Sequence, residues 1–197
     1  LMDAAQREVP GPVHLDLCNG DGASIPTRAS CLGGQVPSGT GAQKEALQTI
    51  SAAKRPVLIV GSLGLRRSWK ERLTSLNIPV FTTAGAKGVV DESLAHAAGV
   101  FTGDGKELAP EWHLISEADL VVGIGVRNTE ILTAKPFGKT TVLVDEVDDG
   151  LADGFQADLL RVDADSDEIA DLFDILSEKK WGLDSLDSLR QSMRRAM

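Results

Sequence analysis

The sequence contains no tyrosine, only two cysteines and few aromatic residues of any kind. Without tyrosine, no phenolic side chain can serve as an acid. Cys18 and Cys31 lack a Cys-x-x-Cys spacing and have no paired histidines nearby, which argues against structural zinc and favours free thiols in a cytosolic protein. No apolar run approaches the roughly 20 residues that span a bilayer, and the first residues do not resemble a signal peptide. We therefore expect a cytoplasmic protein without a membrane partner.

Positive charge is also in short supply. The chain has 20 Lys and Arg against 29 Asp and Glu, for a net charge of −9. Nucleic acids and anionic membranes bind a basic face, so we expect neither as a partner. With 42% hydrophobic and 25% charged residues over 197 positions, the composition is that of one full-sized globular domain with extra segments.

The most informative segment is the apolar run Val57–Val60, which Pro56 precedes and Gly61 follows. Four consecutive branched aliphatic residues are typical of a strand buried on both faces of a parallel sheet. Proline at the first strand position costs no ladder hydrogen bond, and glycine permits a sharp turn afterwards. Such a strand requires helices on both faces of its sheet.

The chain around this strand alternates between strand-like runs and segments with helical spacing of apolar residues. Further strands are predicted at residues 78–83, 98–101, 118–125, 141–145 and 159–163. Helices are predicted around residues 42–53, 65–76, 108–115 and 166–176. This alternation predicts an α/β fold: a doubly wound, about six-stranded parallel sheet with helices on both faces, Rossmann-like and with right-handed crossovers.

The two ends of the chain do not fit this pattern. Residues 1–41 combine a short strand with a Gly-, Ser-, Thr- and Pro-rich stretch, and we interpret them as the end of a preceding domain plus a linker. Residues 42–177 form the predicted central domain. Residues 178–197 are interpreted as a linker helix toward a missing C-terminal domain, because the apolar stripe of this helix finds no remaining partner in the chain. The start at Leu1 rather than methionine is expected of a piece of a longer protein, and removal of a tag would leave the same start.

The first candidate site lies in the glycine turns after two of the strands. A dinucleotide-binding fingerprint needs Gly-x-Gly-x-x-Gly and an acid about 20 residues later. Gly61 and Gly64 have a different interval, whereas Gly123–Asn128 supplies the first two glycines and Asp145 follows 20 residues after Gly125. Nucleotide binding is one interpretation. The other is plain turn geometry, which every doubly wound sheet requires at its strand ends.

Other polar patterns have simpler interpretations. Gly-Asp-Gly occurs at residues 20–22 and 103–105 without a following Asn-Asn pair, and Asp-Gly is a common turn dipeptide. The acidic run 145–149 is typical of a solvated rim, with hard-cation binding as the alternative. The three histidines, at positions 14, 96 and 113, are scattered. We predict no catalytic residue and no metal ligand in this chain.

The order of several motifs resembles the central domain of thiamine diphosphate-dependent enzymes, the group of acetolactate synthase, pyruvate oxidase and benzoylformate decarboxylase. The motifs are Pro56–Gly61, Ile78–Thr83, Ala86–Glu92, Gly99 and Glu117–Gly125. The resemblance covers about residues 42–177. Gly11–Leu17 is similar to the last strand of the family's pyrimidine-binding domain, and Trp181–Met197 to the passage into its diphosphate-binding domain. The chain departs from the family at Ala86, where glycine is usual, and lacks the usual proline before Gly99.

The resemblance implies a non-catalytic scaffold domain that is inactive alone. Its parent would be a lyase or transferase using thiamine diphosphate and Mg²⁺ on a C–C bond next to a carbonyl, as a 2-oxo acid decarboxylase or acetolactate synthase-like enzyme. Its partners would be the missing pyrimidine- and diphosphate-binding domains, in a homo-oligomer. Some members bind FAD or ADP in this domain, and an autonomous FAD-, NAD- or ADP-binding domain is the alternative. The residues that would contact such a ligand by analogy are Gly61, Ser62, Gly64, Thr82, Gly125 and Asp145.

Overall fold

The structure, a computed structural model, describes residues 40–67, 69–101, 103, 110–126, 130, 138–145, 158–161 and 167–196. The chain divides into two compact units, residues 1–36 and 37–197, and every described residue belongs to the second. The predicted strand in the first 41 residues, both cysteines and His14 lie outside the described part.

The second unit is built on one sheet of six parallel strands in the order β3-β2-β1-β4-β5-β6. The strands are β1 (Pro56–Val60), β2 (Val80–Thr82), β3 (Ala97–Val100), β4 (Leu120–Ile124), β5 (Thr140–Asp145) and β6 (Asp158–Arg161). All six predicted strands are therefore present. The strand order reverses between β1 and β4, which is the arrangement of a Rossmann-type doubly wound sheet.

Five α-helices surround the sheet in the part of the chain that the structure describes. They are α1 (Thr40–Ala52), α2 (Lys70–Thr74), α3 (Pro110–Glu117), α4 (Asp167–Ser177) and α5 (Leu183–Ala196). Buried residues of α1, α2 and α4 belong to one apolar cluster, and those of α3 and α5 to a second. The two clusters use opposite faces of the sheet, which confirms the predicted α/β class. None of the helices in the described part is long and apolar enough to cross a membrane.

The central strand β1 contributes to both apolar clusters. Leu58 and Val60 belong to the first cluster, and Val57 and Ile59 to the second, as the two-residue period of a strand requires. All four side chains are at most 2% exposed. Burial of each such side chain stabilises the fold by about 1.5–3 kcal/mol. The sequence Val-Leu-Ile-Val is apolar without interruption because neither face of β1 meets water.

At the amino-terminal edge of the sheet, one carboxylate joins the starts of β1 and β4. The two oxygens of Asp119, just before β4, accept hydrogen bonds from the backbone N–H groups of Lys54 at 2.9 Å and Arg55 at 2.8 Å. In return, the Asp119 N–H donates to the Arg55 carbonyl at 3.1 Å. This pairing precedes the ladder that runs in register from Pro56 with Leu120 onward. Asp119 therefore sets the register of the two central strands.

The segment after β1 differs from the prediction of one helix with Leu65, Trp69, Leu73 and Leu76 on one stripe. The chain forms a 3-10 turn at Ser62–Leu65 and then the short helix α2. Trp69, Leu73 and Leu76 are buried as expected, but Leu65 is 53% exposed. The prediction is wrong at Leu65 because a 3-10 turn has three residues per turn and does not continue the stripe of the following helix.

The C-terminal helix α5 also differs from expectation. Leu186 is 1% exposed and lies in the second apolar cluster, so the apolar stripe does find a partner within the chain. The Arg190 guanidinium donates hydrogen bonds to the carbonyls of Leu94, at 3.0 Å, Ala95, at 3.3 Å, and Ala97, all beside the start of β3. The expectation of an unpartnered helix is therefore wrong at Leu186. The role of residues 178–197 as a linker stays a prediction.

A buried histidine lies beside this contact. His96 is 5% exposed, and its Nε2 atom has no hydrogen-bond partner among the described residues. Burial lowers the pKa of His96 below its ordinary value of 6.5; the charge of Arg190 lowers it further, and a hydrogen bond to the backbone of Leu73 opposes the decrease. The folded state therefore favours neutral His96.

We expect Asp119→Ala to lower the free energy of unfolding by about 1–2 kcal/mol, because two backbone donors lose a charged acceptor and regain only water. Urea denaturation measures the change. The matched control is Asp174→Ala, since Asp174 makes an exposed 3.6 Å ion pair with Arg72 that is worth at most about 1 kcal/mol. Equal losses in the two variants would contradict the role of Asp119.

A second prediction concerns pH. As the pH falls through 6.5, unfolded chains protonate His96 before folded chains do, so protons favour unfolding. The free energy of unfolding should decline from about pH 8 to about pH 5, the range in which histidine titrates. His96→Gln should flatten this decline. Denaturation at a series of pH values tests this, and an unaltered slope in His96→Gln would refute it.

Candidate functional site

The best-defined candidate site is the carboxyl-terminal edge of the sheet where β1 and β4 end side by side. Doubly wound sheets bind ligands at this edge, at the point where the strand order reverses. Of the residues predicted from the sequence, Gly61, Ser62 and Gly64 follow β1, and Gly125 follows β4. We call the space between these two turns the switch-point crevice.

Two of the predicted residues lie farther from the crevice. Thr82 is the last residue of β2 and pairs with Val60 of β1. Asp145 ends β5, is 7% exposed, and its Cα pairs with Arg161 of β6. Since neighbouring strands are about 4.8 Å apart, β5 lies about 10 Å from β1, with β4 between them. The six residues therefore share one edge of the sheet. Gly61, Ser62 and Gly125 lie at the crevice, whereas a Cβ atom on Gly64 would point to the buried side chains of Val60 and Val89.

The glycines at the crevice are required by packing between the two turns. The Gly61 N–H donates to the Ile124 carbonyl at 2.9 Å, and a Cβ atom placed on Gly61 would lie 2.1 Å from the Gly125 carbonyl oxygen. Gly125 has a φ of +59°, and a Cβ atom there would lie 2.3 Å from the Cβ of Leu63. Both positions need glycine whether or not a ligand binds. The turn-geometry interpretation therefore accounts for them.

The crevice also contains an acid that the sequence did not single out. The carboxylate oxygens of Glu130 accept hydrogen bonds from the Ser62 N–H, at 3.1 and 3.2 Å, and one of them accepts a bond from the Thr83 hydroxyl at 3.1 Å. Thr83 is fully buried, and its N–H donates to the Val60 carbonyl at 2.9 Å. The polar contact at the end of β2 is thus made by Thr83, one residue beyond the predicted Thr82.

The other polar patterns of the sequence lead to no reactive cluster in the described residues. His96 is buried beside α5, and His113 lies exposed on α3. The Gly103 N–H donates to the buried carboxylate of Glu111 at 3.0 Å, which gives this Gly-Asp-Gly triplet a structural contact. Residues 20–22, 104–105 and 146–149 lie outside the described part. Within the described ranges, no group of three or more His, Cys, Asp or Glu side chains could hold a metal ion.

A second concave region lies between α3 and α5, on the face of the sheet opposite to α1, α2 and α4. It has a volume of about 470 Å³ and is lined by His113, Leu114, Glu117, Asp184, Ser185, Ser188 and Leu189. The Ser185 hydroxyl donates to the Glu117 carboxylate at 3.2 Å. This groove could not be predicted from the sequence, because α5 was expected to lead toward another domain.

Comparison with known proteins gives this architecture a family. The sequence profile of the family described as "Thiamine pyrophosphate enzyme, central domain" matches residues 43–174, from α1 through α4. The chain is 32% identical over 147 residues to a Methanococcus aeolicus protein named "Probable acetolactate synthase large subunit", covering 67% of this chain and 24% of that protein. It is 31% identical over 137 residues to the 3D-(3,5/4)-trihydroxycyclohexane-1,2-dione hydrolase of Shouchella clausii, covering 66% and 21%.

An X-ray structure described as a thiamin diphosphate-dependent enzyme from Mycobacterium smegmatis aligns at 16% identity with a TM-score of 0.47, over 68% of this chain and 27% of that one. The chain spans about a quarter of the length of the curated relatives named above. The profile match covers two thirds of the chain and coincides with the whole six-stranded sheet. The chain therefore belongs to the central-domain family of thiamine pyrophosphate enzymes.

Proposed function

We propose that this chain is the non-catalytic central domain of a larger thiamine diphosphate-dependent enzyme. The observation that carries the proposal is that the family profile covers residues 43–174 and thus begins and ends with the sheet and its helices. The parent enzyme would cleave or form a C–C bond next to a carbonyl, typically of a 2-oxo acid, as a lyase or transferase. The two relatives named above have names that denote different activities. We therefore propose the reaction class of the parent enzyme and no particular substrate.

The thiamine diphosphate and Mg²⁺ of the parent would be held outside the described residues. Binding of a diphosphate through Mg²⁺ needs carboxylate or carbonyl oxygens arranged around the ion. The described ranges contain no acidic or histidine cluster of that kind. We therefore assign no catalytic step to the described residues and propose that they support the domains that hold the cofactor.

The remaining features of the proposal concern location and assembly. We propose that the parent is a cytoplasmic homo-oligomer and that the central domain contacts the pyrimidine- and diphosphate-binding domains of its own chain. The net charge of −9 supports the absence of a nucleic-acid partner. Residues 178–197 would then lead toward the diphosphate-binding domain. Within them, helix α5 packs on the central domain through Leu186.

An autonomous FAD-, NAD- or ADP-binding domain is the alternative. The strand order and the position of Gly61, Ser62 and Gly125 at the switch point favour it. The close packing of the two glycine turns and the bond from the Ser62 N–H to Glu130 disfavour it, because a pyrophosphate would need free backbone N–H groups there. We therefore propose that this chain holds no cofactor of its own.

Calorimetric titration of this chain with thiamine diphosphate and MgCl₂ should give no heat beyond dilution. The matching positive experiment uses the complete reading frame that contains this chain. That protein should bind thiamine diphosphate only when Mg²⁺ is present and should then consume a 2-oxo acid such as pyruvate. Tight, Mg²⁺-dependent binding of thiamine diphosphate by the present chain would contradict the scaffold role. If the complete protein bound no thiamine diphosphate, the proposed chemistry of the parent enzyme would be wrong.

A further inference from the structure

Glu130 joins three segments that the topology brings to the switch-point crevice. It follows β4, while its hydrogen-bond donors Ser62 and Thr83 follow β1 and β2. A Cβ atom on Gly85 would lie 3.1 Å from one carboxylate oxygen, so glycine at this position gives the carboxylate the room it occupies. Three consecutive strands of the sheet are thus connected, beyond their ends, through one side chain.

The chemistry of these contacts is that of anion binding. A backbone N–H and a hydroxyl donate to a group that, when ionised, can only accept. A nucleotide phosphate uses the same kind of donor at the same edge of a Rossmann-type sheet. Glu130 therefore competes with a phosphate for the Ser62 N–H, and its negative charge opposes the approach of a second anion.

The backbone N–H groups next to Ser62 are paired with backbone carbonyls. Gly61 and Leu63 lie directly against Gly125: the Leu63 N–H points to the Gly125 carbonyl at 3.5 Å, and the Gly64 N–H donates back to the Gly61 carbonyl at 2.9 Å. These contacts close the first turn onto the second and direct the Ser62 N–H toward Glu130. The N–H groups of Gly61, Leu63 and Gly64 are already paired within the two turns.

We infer that Glu130 is a specificity-determining residue that excludes phosphate-bearing nucleotides from the switch-point crevice by holding a negative charge at the donors that a phosphate would use. The inference does not depend on the reaction of the parent enzyme. It predicts a domain that keeps the nucleotide-binding topology but rejects ADP, and whose rejection depends on one negative charge.

The test compares binding of ADP by the wild-type chain and the variants Glu130→Gln, Glu130→Ala and Thr83→Val, using calorimetry. Wild type should show no ADP binding. Glu130→Gln removes the charge but keeps the shape, and Glu130→Ala removes both, so both variants should bind ADP with an affinity at least about tenfold above the calorimetric detection limit that wild type does not reach. Thr83→Val is the matched control: it removes a donor to Glu130 but keeps the charge, so ADP binding should stay absent.

Two further measurements separate the causes. Adenosine lacks the phosphates, so its binding should be the same in wild type and Glu130→Gln. Circular dichroism and thermal unfolding establish that each variant is folded, and Glu130→Gln serves if Glu130→Ala fails to fold. The inference is overturned if wild type binds ADP as tightly as Glu130→Gln does, or if folded Glu130→Gln binds no more ADP than wild type. Neither result would alter the outcome of the thiamine diphosphate titration, which tests the proposed function separately.

Discussion

The fold depends on the complete burial of β1 from both sides. A parallel strand whose side chains all point into apolar surroundings needs a helical layer on each face, and the chain must cross the sheet to supply both. The crossing after α4 shows how this is done. Trp181 lies near the starts of β1 and β2. Its backbone N–H donates a hydrogen bond to the Asn77 carbonyl at 3.2 Å, and its indole N–H donates one to the Pro56 carbonyl at 2.5 Å. Gly182, with a φ of +74°, then turns the chain into α5 on the other face.

Close packing also determines the residues at the carboxyl-terminal edge of the sheet. Where β1 and β4 end, the two turns approach so closely that neither Gly61 nor Gly125 has room for a side chain. Glycine at a strand end is thus ambiguous as a signal of ligand binding, because backbone-to-backbone packing and backbone-to-phosphate contact both need the missing Cβ. Only the neighbours of the glycine distinguish backbone packing from phosphate binding. Here the neighbour of Gly61 is Gly125, and the neighbour of Gly125 is Leu63, so backbone packing explains both glycines.

The sheet and helix α4 could be predicted from the sequence because their signals are local. Val57–Val60 is apolar without interruption, and Ile169, Leu172, Phe173 and Leu176 follow the helical period and are all buried. The docking of α5 could not be predicted in this way. Arg190 lies off the apolar stripe, and its three carbonyl partners are more than 90 residues away in the sequence.

The candidate site was predictable in its location but not in its contents. Strand ends and glycine turns placed Gly61, Ser62 and Gly125 at one edge, and the structure brings them together. Glu130 and Thr83 carry no sequence signal, since a glutamate after a strand and a threonine at a strand end are ordinary residues. Their importance arises from a hydrogen bond between positions 47 residues apart. Asp119 is similar: its role becomes visible only when Lys54 and Arg55 lie beside it.

Topology and chemistry can therefore be separated in this domain. The order β3-β2-β1-β4-β5-β6 is a property of the backbone topology, and such a topology does not by itself imply a ligand. The chemistry at the edge is set by a few side chains added to that frame. The Glu130 carboxylate accepts hydrogen bonds from two neighbouring segments and so connects them at this edge. Because Glu130 is part of the chain, it stays bound to these donors, whereas a ligand could dissociate. In the proposed role of supporting its neighbours, the domain would gain rigidity from this contact, and by our inference the same carboxylate would exclude a nucleotide from the site that the topology otherwise permits.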